Sequence, residues 1–267
     1  MAVIVNNWCT TGEFTYHRAM TVGGELGVAT WQDFQPSPPG HAPMPAVTLL
    51  VPVGSTEQHG PHLPLDTDTR VAQAVARALA EQLEFVGTGD RWQVAPAIAY
   101  GASGEHQGFA GTISIGTEVL GQLLLEYGRS ACCWAQRVVF VNGHGGNVAA
   151  LMSATRRLRF EGREASWIPC TVAGADAHAG HTETSLLLHL SPESVRFDRV
   201  EPGNISPLDQ LLPALRASGV GAVSSAGVLG DPTTATAHDG RRMFAEMVAS
   251  ARAAVEAWDP GPHGMLR

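Results

Sequence analysis

The chain has 267 residues, 44% of them hydrophobic and 16% charged, with a net charge of −8; at roughly 150 residues per domain that length makes one or two domains. An apolar share of this size supports a packed core and excludes a disordered chain solvated by its own charge. An acidic chain with no long basic run excludes nucleic-acid and anionic-membrane partners, since phosphate binding needs clustered Lys and Arg, and its apolar runs fall short of the ~20 residues that span a bilayer.

The opening MAVIVNNWCTTGEFTYHR lacks the basic segment and apolar core of a secretory signal. Cys9, Cys132, Cys133 and Cys170 show no CxxC spacing, and buried free thiols in a reducing compartment are expected. These features predict a cytoplasmic protein. Residues 1–45, rich in Gly, Thr and Pro and ending in QPSPPGHAPMP, read as an N-terminal arm or linker without a periodic apolar face.

From Ala46 the pattern alternates between strand and helix. Ala46–Val53 is a nearly continuous apolar run, as a strand covered on both faces requires. Thr69–Phe85 places Val71, Val75, Ala78, Leu79 and Leu83 at helical spacing. Trp92–Ala97 reads as a second strand, followed by a Gly-rich loop from Tyr100 to Ile115. A helix over Thr117–Trp134 precedes a third buried strand, Arg137–Val141, which stops at Asn142-Gly143-His144-Gly145-Gly146-Asn147. A helix (Val148–Glu161), a strand (Ala165–Cys170), a loop and an apolar helix opened by Thr182 follow. The last helix, Thr233–Trp258, is expected to be capped by Asp231-Pro232-Thr233, and residues 259–267 form a tail. This order predicts one domain over 46–258, an α/β three-layer α/β/α fold with a mainly parallel sheet.

Ligands of such sheets bind at the carboxyl ends of the strands. Three polar loops are expected to meet there: Gly54–Asp68, Asn142–Asn147 and Gly174–Glu183. The first carries Glu57 and His59 two residues apart, a spacing that points both to one side of an extended end. Asp68 stands at a helix start, Gly60, Pro61 and Pro64 stiffen the turn, and His144 projects from glycines that let the backbone approach an ion closely. Glu183 lies in the first turn of a helix, five residues after His178. Each feature alone has an ordinary reading: NGHGGN as a tight turn, Asp68 and Thr182 as helix caps, Glu183 as a complement to the helix dipole. Converging from three loops, they predict a metal site.

His and carboxylate donors suit Zn²⁺, Fe²⁺ or Mn²⁺. Glu57, Asp68 and Glu183 carry −3, and with neutral His59 and His144 they match two divalent ions plus one hydroxide, whereas a single ion would leave net charge buried. Two ions roughly 3.5 Å apart supply an ionised water and a Lewis acid for a carbonyl. His178 is placed to protonate a leaving amine. His62, His106 and His181 stand beside these residues, and residue chemistry alone leaves their part open.

The run Gly54-Ser55-Thr56-Glu57-Gln58-His59-Gly60-Pro61-His62-Leu63-Pro64-Leu65, then Asp68, then Asn142–Asn147, then His178 with Glu183-Thr184-Ser185, resembles the creatininase family of metal-dependent amidohydrolases. The resemblance implies a dinuclear site in a homo-oligomer, with Glu57 and His144 on one ion, His59 on the other, Asp68 bridging and His178 catalytic. The chain departs from creatininase proper at Gly146, where a glutamate ligand stands and whose place Glu183 would take. It departs again at Gly174, where a tryptophan helps hold the creatinine ring. The segments 100–115, 176–190 and 227–237 resemble more closely a peptidase branch of the family. That likeness implies a radical-SAM-modified precursor peptide as substrate, cut to release a core made from its C-terminal Val-Tyr pair. A small cyclic amide or formamide is the alternative substrate.

Overall fold

The structure, a computed structural model, describes residues 24–37, 39–86 and 89–267. Among the described residues five parallel strands form one sheet: β1 (Gly24–Glu25), β2 (Val47–Val53), β3 (Arg91–Val94), β4 (Arg137–Asn142) and β5 (Ala165–Pro169), in the order β1-β3-β2-β4-β5. Every residue of β2 is buried, and alternate side chains go to opposite faces. Leu50, Val139 and Val141 join one core, while Leu49, Val51, Val138 and Phe140 join the other. The helices divide accordingly. α1 (Thr67–Val86), α4 (His181–Leu190) and α6 (Ala237–Ala257) cover the first face, and α2 (Gly116–Ala131) and α3 (Val148–Phe160) cover the second. This is the three-layer α/β/α arrangement expected from the alternating pattern.

The chain leaves β2 towards β3 by way of α1, and returns from β3 to β4 by way of α2 on the opposite face. The direction of winding therefore reverses beside β2, and the carboxyl ends of β2 and β4 flank the crevice where such sheets bind ligands. Both strands end in the polar loops singled out above. Gly54 and Gly143 let these ends pack against α1: a Cβ on Gly54 would come within 2.3 Å of Thr69 Oγ1, and one on Gly143 within 2.4 Å of the Asp68 carbonyl.

Several boundaries differ from the sequence pattern. α6 starts at Ala237, because Thr236 is its cap, its hydroxyl accepting from the Asp239 N–H at 3.0 Å. Asp231 caps a separate turn over Pro232–Thr234. A helix α5 (Leu208–Ser218) was not expected; it contains Pro213, which removes a backbone donor and masks an otherwise helical apolar spacing. Residues 24–37 pack on the domain: Glu25 pairs with Arg77 at 2.6 Å, and the Phe34 ring lies tilted against Trp134 with centroids 4.9 Å apart. Cys132 and Cys170 are partly buried free thiols, but Cys133 is exposed, contrary to expectation; Cys9 lies outside the described residues. Among the described residues no helix is long and apolar enough to cross a membrane.

Candidate metal centre

Glu57, His59, Asp68, His144, His178 and Glu183 meet at the carboxyl end of the sheet. The β2–α1 loop is held by its backbone, with Glu57 N–H bonded to Leu65 O at 3.0 Å and Ile113 N–H to Thr56 O at 2.9 Å. It delivers Glu57 and His59 fully buried. Asp68 sits in the first turn of α1, where Ser55 Oγ donates to its Oδ2 at 2.7 Å. His144 stands where β4 gives way to α3, its carbonyl accepting from the Asn142 amide at 2.8 Å. Asn147 ties the NGHGGN turn to two neighbouring segments, accepting from Ala102 N–H and donating to Gly54 O, each at 2.9 Å.

Asp68 is the centre of the group. Its Oδ1 lies 3.1 Å from His59 Nε2, and its Oδ2 lies 3.2 Å from His144 Nδ1. His144 Nε2 is 3.2 Å from Glu57 Oε2, and His59 Nε2 is 3.9 Å from Glu183 Oε2. Two of the clusters able to hold an ion are therefore Glu57–Asp68–His144 and His59–His178–Glu183. The carbonyl of Glu57 accepts from His59 Nδ1 at 3.1 Å, which turns Nε2 towards Asp68 and leaves it as the nitrogen that would face an ion.

Charges are concentrated here in largely buried groups. Burial pushes Glu57 up to about 7, with His144 pulling the other way, and burial likewise raises Glu183 to about 7. Burial works against charge on His59 and His144. The Asp68 carboxylate nevertheless lifts His59 to about 10, and Glu57 with Asp68 lifts His144 to about 9. Burial would raise Asp68, yet the same two imidazoles hold it well below its ordinary value. The three carboxylates thus draw positive charge to the base of the sheet's carboxyl edge. Neither oxygen of Glu57 takes an aligned hydrogen bond although both are buried, and an orphaned buried carboxylate is costly unless a cation satisfies it. The donor set fits divalent metal.

Other candidates part company. His62 turns away to Thr184 Oγ1 at 2.8 Å, and His181 bonds Thr234 Oγ1 at 2.9 Å near the surface. His106 does enter the site, 3.3 Å from Glu57 Oε1. Residue patterns missed Gln58, whose side chain touches both His106 and His178; its place between Glu57 and His59 was the available signal. They also missed α5, which lines the cleft of about 880 Å³ above Asp68, His144, His178 and Glu183.

The creatininase family model, described as creatinine amidohydrolase, matches residues 29–255. A mycofactocin precursor peptide peptidase of Mycobacterium ulcerans is 61% identical over 94% of this chain and 98% of its own. One from Mycolicibacterium smegmatis is 57% identical with the same coverage. Among solved structures, a creatininase variant of Zn–Zn type superposes with a TM-score of 0.69 at 24% identity, over 90% of this chain and 99% of that one. With most of its length matched by the family model and its relatives above half identity, the chain belongs to the creatininase family of hydrolases acting on carbon–nitrogen bonds.

Proposed function

We propose that the chain is a dinuclear metal-dependent peptidase that hydrolyses the modified mycofactocin precursor peptide and releases the core made from its C-terminal Val-Tyr pair. The observation that carries the reading is a pair of donor sets around one aspartate at the floor of a cleft of about 880 Å³. The substrate comes from relatives of 57–61% identity bearing that name. Glu57, His144 and Asp68 would hold one ion, and His59, Glu183 and Asp68 the other. When bound, such a pair of ions ionises water near neutral pH and polarises a scissile carbonyl. Zn²⁺, Fe²⁺ and Mn²⁺ all suit these donors.

The chain's own groups supply the rest. His178 Nε2 donates to the Gln58 carbonyl at 2.8 Å, so its Nδ1 lone pair faces the cluster. Burial keeps this imidazole well below its ordinary pKa and neutral. Nδ1 takes a proton as water adds to the peptide carbonyl and returns it to the departing nitrogen, which leaves as an amine. The Ala179 N–H donates to Glu183 Oε2 at 2.6 Å and holds that carboxylate at the rim. Leu208, Leu212 and Leu215 give the cleft an apolar wall with Arg216 beside it, a lining that suits a peptide side chain better than a small polar ring. A cytoplasmic homo-oligomer belongs to the same reading.

The test incubates metal-loaded protein with radical-SAM-processed precursor peptide and follows products by mass spectrometry. Unmodified precursor, a cyclic amide and chelator-treated protein run alongside. Cleavage near the modified C-terminus, lost on chelation, is the expected result. Turnover of the cyclic amide with the peptide left intact overturns the peptide assignment.

A further inference from the structure

His106 is a buried imidazole that the proposed chemistry does not use. It is 4% exposed, and with Glu57 and His178 it forms a third group able to converge on an ion. Whether it ligates depends on which ring nitrogen carries the proton. Neighbours of fixed polarity decide that.

Gln58 lies at the centre of the network. The Gly60 N–H donates to its Oε1 at 2.8 Å, and its Nε2 donates to the Gly227 carbonyl at 3.0 Å. Each of these backbone groups has one polarity, so the amide has one orientation. Gly227, at φ +79°, is part of that cradle, since a Cβ there would come within 1.9 Å of Gln58 Oε1. His178 Nε2 faces the Gln58 carbonyl at 2.8 Å, an atom that only accepts, so this nitrogen bears a proton. Its 3.0 Å approach to Gln58 Nε2 is then between two donors and is no hydrogen bond. One amide hydrogen of Gln58 goes to Gly227, and the other goes to His106 Nδ1 at 2.9 Å. With Nδ1 accepting, the neutral His106 ring carries its proton on Nε2, the nitrogen 3.3 Å from Glu57 Oε1.

We infer that His106 is a positioning residue that keeps its ring proton on Nε2, on the side of Glu57 Oε1 at 3.3 Å, and is not a metal ligand. Coordination through Nε2 would force the ring proton onto Nδ1, against the Gln58 N–H, or leave a buried imidazolate; either is costly. Oε2 of Glu57, on the side of His144, stays available to an ion. Donors of this outer kind orient the carboxylates that bind metal.

The inference rests on the metal-centre reading, and its test separates the two. Histidine-ring ¹H–¹⁵N correlations are recorded on the ¹⁵N-labelled full chain, first ion-free and then with Zn²⁺, His106 being assigned by the signals missing in His106→Gln. A protonated Nε2 and an accepting Nδ1 in both states are expected. An Nδ1–H tautomer in the ion-free protein, or loss of the Nε2 proton on adding zinc, overturns the inference. Failure of the chain to bind zinc at all instead overturns the metal reading, while the ion-free spectrum still reads the tautomer. In zinc titrations His106→Leu is expected to lose about 10–100-fold in affinity at unchanged stoichiometry, with His106→Gln recovering most of it through its amide N–H. Loss of one zinc per chain in both variants would make His106 a ligand.

Discussion

The two loops that build the centre are made differently. The β2–α1 loop is a floor: Glu57 and His59 are fully buried, and its backbone is tied to Leu65 and Ile113. The 176–183 loop is a rim. His178 and Glu183 line the cleft, and the Glu183 side chain keeps 23% of its exposure. The rim is clasped by the Asp176 carboxylate, which accepts from Thr182 N–H at 3.0 Å, and by a backbone bond from Leu229 N–H to His178 O at 2.8 Å. Ala179, between His178 and Glu183, is held at φ +52°, a conformation that costs a residue with a Cβ about 1 kcal/mol or more. In the proposed reading a buried floor fixes where charge sits, whereas the rim would meet substrate and move protons. Holding metal and turning over should therefore fail separately.

The sharpest break is Asp68→Asn on the floor. Asp68 touches both His59 and His144, so the variant is expected to lose both metals by elemental analysis and all measurable peptide cleavage; full occupancy would remove Asp68 as the shared ligand. Next comes His178→Ala on the rim, expected to keep its metal while kcat falls about 10²–10⁴-fold. Unchanged turnover would take His178 out of the proton path, and loss of an ion would make it a ligand.

Glu183→Gln sits between these cases. It should weaken one of two zinc-binding steps by at least about tenfold, since even outer partners of a ligand are worth 10–100-fold; equal weakening of both steps would dissolve the division between floor and rim. A smaller effect is expected from Leu212→Ala in the cleft wall. Losing that apolar contact, worth about 1–3 kcal/mol, should raise KM for the peptide with kcat kept, and a fall in kcat alone would place the wall outside the binding surface.

The smallest effect concerns the ion-free protein. His59 and His144 are held protonated up to about 10 and about 9 by their carboxylate neighbours. Their contribution to stability is complete below the ordinary histidine value near 6.5 and is lost as pH rises towards 9–10. Chelated protein should therefore melt at progressively lower temperature from pH 7 to 10. Zinc-loaded protein, whose imidazoles would bind as neutral ligands in the proposed centre, should lose less over the same range; parallel curves would contradict this.

Much of this was legible in the order of residues, for a reason that is local. The buried strands declare themselves as continuous apolar runs, because a strand covered on both faces has no place for polar side chains. Glu57, His59, Asp68, His144 and Glu183 stand where strands stop or helices begin, and chain direction in a parallel sheet sends those points to one rim. α5 stayed hidden because Pro213 interrupts its pattern. The start of α6 shifted because Asp231 and Thr236 are both competent caps, and only packing chooses between them.

What residue order could not decide is which nitrogen of which histidine faces the centre. His62, His106 and His181 are chemically the same side chain as His59 and His144. Only the fold sends His62 to Thr184 and His181 to Thr234, and brings His106 against Gln58 and Glu57 across a separation of 48 residues. A ligand is defined by a lone pair aimed at a point, and a lone pair takes its direction from hydrogen bonds made by distant segments. The sequence by itself determined the layers, the rim and the donor types; the tertiary structure decided the partners that orient each ring.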